Sequence, residues 1–205
     1  MVRKLAVVLV AVTLIGPARV AAQATALPSF LAPYRAFERS EFGAILSFAD
    51  GISFALEGAY RMSAGTSFDV GFRGGYVDPD AAAGSGYFVF GAEGRQRIIT
   101  HTEDFPLDGA LILGVGAALP DGGEFLNIPV GLSLGRRIDP EGSDISIVPY
   151  VQPTLFILAG SNVGDNVRFA LGLGVDFRLS RRFDARLSGG IGDLEGISIG
   201  AAWVH

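Results

Sequence analysis

The stretch NVRFALGLGVDFRL, residues 166–179, constrains the chain more than any other. Val167, Phe169, Leu171, Leu173, Val175, Phe177 and Leu179 share one parity, and Arg168, Ala170, Gly172, Gly174, Asp176 and Arg178 share the other. A period of two is the mark of a β-strand with unlike faces. One face is bulky and apolar. The other carries glycine, alanine and isolated charges, too small and too sparse for the water-facing side of a soluble sheet.

The pattern recurs along the chain. Segments 42–49, 52–61, 67–76, 86–97, 107–119, 125–136, 145–157, 166–179, 182–191 and 197–205 predict ten strands and no helix. Turn chemistry separates them at Asp50-Gly51, Ser63-Ala64-Gly65, Asp121-Gly122-Gly123, Asp139-Pro140-Glu141-Gly142 and Gly164-Asp165-Asn166. Pro149 and Pro153 fall inside the seventh segment, where a proline removes a ladder donor. Eight strands is the alternative count, with 42–61 the weakest hairpin.

The N-terminus reads as a secretory signal peptide over residues 1–22. MVRK supplies positive charge, LAVVLVAVTLIG at 5–16 is apolar but too short to span a bilayer, and Val20-Ala21-Ala22 offers small residues for cleavage before Gln23. Residues 23–40 follow as a lead-in, and 41–205 form the folded domain. Of 16 basic residues, Arg3, Lys4 and Arg19 lie in the excluded segment, leaving 13 arginines and no lysine against 21 acids. With no cysteine there is no disulfide framework or thiolate metal site. The formal charge of −5 and the lack of a basic stripe exclude a nucleic-acid partner.

Three features turn the bulky face toward lipid. Most strands run about ten residues, the length a tilted strand needs to cross a bilayer core. Gly43, Ala55, Gly71, Gly114, Gly116, Gly131, Gly172 and Gly190 fall on the opposite face, where they fit a narrow interior. Phe42, Phe48, Tyr60, Tyr76, Phe177, Phe183 and Trp203 lie on the apolar face near strand ends, as in an interfacial girdle. The reading is an all-β, closed, antiparallel, up-and-down transmembrane β-barrel.

On this pattern residues 40–205 resemble the small outer-membrane β-barrel proteins of Gram-negative bacteria. The resemblance implies the cell outer membrane as location, after Sec-dependent export and signal-peptide cleavage. It makes residues 23–40 a periplasmic lead-in. It implies membrane lipid, lipopolysaccharide and the barrel-assembly machinery as partners. Such barrels close on a strand ending in an aromatic residue that this machinery reads. Here Ile197, Ile199, Ala201, Trp203 and His205 share the outward face, so Trp203 and His205 stand where that signal would be, with the aromatic two residues early.

Strand parity orients the barrel. Connections after even strands hold Arg61, Arg97, Arg136, Arg137, Arg181 and Arg182 and would face the periplasm. Connections after odd strands hold Asp50, Asp78, Asp80, Asp121, Glu124, Asp165, Asp193 and Glu195, and no arginine. Within the lumen, one register of strands two and three opposes Glu57 to Arg73 and Arg61 to Asp69. One register of strands eight and nine opposes Asp176 to Arg186 and Arg178 to Asp184. Opposite charges directly across a sheet stabilise by roughly 0.2–1 kcal/mol per pair. These eight charges read first as a lumen plug and second as an ion gate.

Catalytic, cofactor and metal sites find no support. The two histidines are His101, beside Thr102, Glu103 and Asp104, and His205. Neither falls at the outer rim where barrel enzymes work with a histidine base. The glycine doublets precede no helix and so are not nucleotide loops. Three function classes follow in order: a non-enzymatic structural barrel with a plugged lumen, a narrow porin-like channel for ions or small solutes, and an outer-membrane enzyme.

Overall fold

In the computed structural model, described for residues 24–33, 39–80, 84–121, 123–160 and 167–205, ten strands form one closed barrel. They are β1 Glu41–Ala49, β2 Ile52–Ser63, β3 Phe68–Pro79, β4 Tyr87–Ile99, β5 Asp108–Leu119, β6 Phe125–Gly135, β7 Ser146–Gly160, β8 Val167–Arg178, β9 Phe183–Gly192 and β10 Gly196–Val204. Each pairs antiparallel with its sequence neighbours, and β1 pairs with β10 to close the wall, which excludes the eight-strand alternative. Closure leaves no sheet edge exposed. The signal-peptide reading, residues 1–22, and Asp165 lie outside the described residues.

Pro153 and Pro129 are accommodated by local breaks in pairing. Along β6 and β7 the partners pass from Gly131↔Thr154 to Leu134↔Val151, skipping Pro153. Along β5 and β6 they pass from Leu113↔Val130 to Gly116↔Asn127, skipping Pro129. A missing donor costs little where the ladder is already open.

Two ends can be told apart. The terminal end holds the start of β1, residue 205 and the connections after β2, β4, β6 and β8. The distal end holds the connections after the odd strands, including Asp50 and Asp121. Asp50 N–H donates to the Glu195 carbonyl and Asp80 N–H to the Gly51 carbonyl, tying three distal connections together. The charge asymmetry is one-sided. The distal connections are acidic, but the terminal ones mix arginine with Glu103, Asp104, Asp139, Glu141 and Asp144. Arg61 belongs to β2 and is buried in the lumen, so it is no turn residue.

The outer face is an apolar belt. Phe42, Leu56, Phe88, Leu113, Val167, Phe169 and Ile197 are all exposed, with Phe88 at 57 %. Such a surface, continuous around a barrel, is what a lipid-facing wall presents. His205 joins this face at the terminal end, its ring 6.1 Å from Phe42 and 6.2 Å from Tyr60, while its N–H donates to the Ser40 carbonyl.

The lead-in departs from expectation. Residues 24–33 do not sit outside the barrel; they run inside it, and each of the ten is buried. Ala24 packs on Gly91 and Gly116, Leu27 joins a distal cluster, Ala32 reaches Arg95, and exposed Arg39 re-emerges at the terminal end. The physical reason lies in the inward glycines. A barrel of ten strands lined by small residues encloses more space than its own side chains fill, and the uncharged stretch ATALPSFLAP supplies the missing volume. Ala26 holds a positive φ of 65°, a left-handed conformation that costs an alanine about 1 kcal/mol and persists only where the surroundings fix it.

Candidate functional site

The lumen and the segment inside it form the site. Near the distal end, Leu27 packs against Ala55 of β2, Val77 of β3, Val89 of β4 and Ala118 of β5. Deeper, Phe30 packs with Val148, Tyr150, Phe156, Ala170 and Leu194. A Cβ added at Gly172 would run into the Phe30 ring, and one at Gly190 would come within 3.0 Å of it. Burying these two side chains contributes about 1.5–3 kcal/mol each.

On the same strands as the Leu27 pocket, toward the terminal end, lies a network of buried charge. Glu57, Asp69 and Glu93 face Arg61, Arg73 and Arg95, all inside the wall of β2, β3 and β4. Arg61 pairs with both Asp69 and Glu93, Arg73 Nε donates to Glu93 at 3.0 Å, and Arg95 Nη2 pairs with Asp69 at 2.7 Å. The three positive and three negative groups balance, which is what makes their burial tolerable. The segment enters this network: Thr25 Oγ1 donates to Glu57 at 2.5 Å, Ser29 Oγ donates to Glu57 at 3.3 Å, and Arg73 Nη1 donates to Ser29 Oγ at 2.5 Å.

The wall also grips the segment's main chain. Ser188 Oγ donates to the Pro28 carbonyl at 3.0 Å and accepts from Phe30 N–H at 3.2 Å. Arg73 donates to the Ser29 carbonyl, Tyr150 to that of Phe30 at 2.8 Å, Ser133 to that of Leu31 at 2.6 Å, and Arg95 to that of Ala32 at 2.6 Å. Leu31 N–H donates to Gln152 Oε1 at 3.0 Å.

The eight charges read from the sequence all line the lumen wall, but in two different ways. In β8 and β9 the register opposes Asp176 to Arg186 and Arg178 to Asp184 directly, and Arg186 Nε lies 3.4 Å from Asp176. In β2 and β3 the register differs by two residues from the expected one, which keeps the faces but changes every partner. Glu57 faces Gly75, Ala59 faces Arg73, Arg61 faces Gly71 and Ser63 faces Asp69. Arg61 and Asp69 still pair, diagonally, while Glu57 and Arg73 are joined through Ser29. The cause is steric and topological. Arg61 fills the space over its cross-strand partner Gly71, where a Cβ would sit 2.6 Å from Arg61 Nη2. The β2–β3 connection also closes as the β8–β9 one does, with Ala64 N–H donating to Phe68 and Leu179 N–H to Phe183.

Sequence reasoning missed Glu93 and Arg95, although both share the inward parity of β4 with Gly91. It also missed Glu41, whose Oε2 lies 2.7 Å from Arg186 Nη2. Glu41 stands on β1 and Arg186 on β9, so this pair spans β10 at the barrel's closure. Parity could have found all three. Nothing in the local pattern pointed to Ser29.

His101 Nδ1 meets Asp108 at 3.0 Å in the β4–β5 connection, which uses the histidine structurally. Trp203 lies on the outer face between Phe42 and Phe183, its cross-strand partners. Among the described residues no group of three His, Cys, Asp or Glu positions could hold a metal. At the terminal mouth a cavity of about 390 Å³ opens among Arg39, Arg137, Arg178, Arg181, Asp144 and Ser146.

No protein-family model matches the chain, and no curated protein does. Among solved structures, the KdgM porin aligns over 80 % of this chain and 98 % of its own at 5 % identity and TM-score 0.44. The β domain of the Bordetella autotransporter BrkA aligns over 82 % of this chain and 99 % of its own, at 16 % identity and TM-score 0.54, a likeness of fold.

Proposed function

We propose that the chain is a non-enzymatic outer-membrane β-barrel protein with a structural role in the envelope, its lumen closed by its own residues 24–33. The observation that carries this is the complete burial of those ten residues within the wall, bonded to its charges. The exposed apolar belt supports the membrane setting, because water would not tolerate it on a monomer. The signal-peptide reading of residues 1–22 supports export. In this reading the distal end faces outward, where acidic connections would meet cation-bridged lipopolysaccharide. The terminal end faces the periplasm, and the outward Trp203 and His205 are what the assembly machinery would read.

The experiment is fractionation with heat-modifiable gel mobility. The reading expects the protein in the outer-membrane fraction, migrating faster unheated than boiled. Recovery as a soluble monomer without detergent contradicts it. The basic cavity at the terminal mouth favours one second reading, a narrow channel for small anions that opens when the segment shifts.

A further inference from the structure

We propose that the lumen is a polypeptide-binding site that reads main chain, and that an uncharged peptide competes for it with residues 24–33. The inference rests on the reading of this segment as the lumen plug. The ligand is a peptide with an aliphatic residue three positions before an aromatic one, as Leu27 precedes Phe30.

The chemistry of the wall carries this. Seven hydrogen bonds run from lumen side chains to main-chain groups of the segment, and together they engage every residue from Pro28 to Ala32. Five carbonyls are met by hydroxyl or guanidinium donors and two N–H groups by a hydroxyl and an amide oxygen. Gln152 is set for this task, since its Nε2 donates to Thr154 Oγ1 and leaves Oε1 turned to Leu31. Bonds to the main chain do not depend on the residue carried there. Selection by side chain is confined to the Leu27 and Phe30 pockets and to the hydroxyls of Thr25 and Ser29.

A wall that merely had to be closed would not look like this. Larger residues at Gly91, Gly116, Gly172 and Gly190 would fill the space with no second segment. Those glycines instead give Ala24 and Phe30 their seats. The buried charges of β2, β3 and β4 balance three against three, so an uncharged chain fits beside them where a charged one would be left unpaired.

The test uses the full chain refolded in detergent and in planar bilayers. Leu27→Ala with Phe30→Ala weakens the resident segment, and a fluorescent peptide of sequence ATALPSFLAP is the probe. The double variant is expected to bind it about tenfold or more tightly than the unaltered chain, and N-methylation at the peptide's phenylalanine and following leucine is expected to weaken binding by about tenfold. The peptide is also expected to block the variant's conductance. An open variant that the peptide neither binds nor blocks overturns the proposal, as does equal binding of the N-methylated peptide. A variant that stays closed contradicts the plug reading itself. If the double variant does not refold, Phe30→Ala alone is subjected to the same measurements and the same criteria.

Discussion

Glu57 and Arg73 meet through the hydroxyl of Ser29, not directly: Ser29 Oγ donates to Glu57 at 3.3 Å and accepts from Arg73 at 2.5 Å. The link between two wall strands is thus supplied by the segment inside the barrel. Ser29→Ala leaves both buried charges short of a partner and is expected to lower stability by about 1–3 kcal/mol in urea unfolding. Exchanging the charges, Glu57→Arg with Arg73→Glu, is expected to give no rescue of an Arg73→Ala defect, because residue 73 also bonds Glu93 and a glutamate there would face a like charge. Full rescue would mean that Glu57 and Arg73 act as a simple pair.

Gly172 tests the seat of Phe30. A methyl group at this position collides with the ring, so Gly172→Ala is expected to loosen residues 24–33, at a cost of about 1–3 kcal/mol for overpacking. Limited proteolysis should then cut the N-terminal segment faster than in the unaltered chain. Adding Phe30→Leu should restore protection; protection that never changes would place the ring elsewhere.

Arg186 holds the seam of the barrel. It lies 2.7 Å from Glu41 and 3.4 Å from Asp176, with Asp184 at 3.9 Å. Arg186→Gln leaves three carboxylates facing one another in a largely buried site, and removal of one partner from such a group costs about 3–5 kcal/mol. Thermal unfolding in detergent should show the loss, and Glu41→Gln in the same background should recover part of it.

Outside the wall, Asp139 gives the β6–β7 connection an acid-sensitive clasp. Hydrogen bonds from Ser146 and Arg137 hold its carboxyl below the ordinary aspartate value. A depressed folded-state pKa means that the clasp is at full strength above the unfolded value and is lost as pH falls through the folded one. The hydrogen-exchange protection factor at Ile138, whose N–H donates to the Ile147 carbonyl, should therefore fall as the pH is lowered, and Asp139→Asn should remove that step.

Most of the wall is legible in the sequence, and the contents of the lumen are not. Alternation fixes parity, so residues such as Gly43, Gly172 and Asp176 are placed inward by pattern alone, and the strand bounds follow from turn residues such as Asp50-Gly51. Register is harder. Charge matching finds Asp176 opposite Arg186 but misplaces Glu57, because it counts charges and ignores the room that Arg61 needs opposite Gly71. Residues 24–33 carry no alternation, since they join no sheet; their burial depends on a cavity left by glycines far along the chain. The same glycines that read as mere narrowness are where Ala24 and Phe30 sit.

The central claim is that residues 24–33 close the lumen, and single-channel conductance of the refolded full chain in planar bilayers tests it most directly. The account predicts a closed unaltered protein with only brief openings, and a sustained conductance in Gly172→Leu, where the Phe30 seat is filled. Steady ohmic conductance from the unaltered chain, left unchanged by Gly172→Leu, would contradict it.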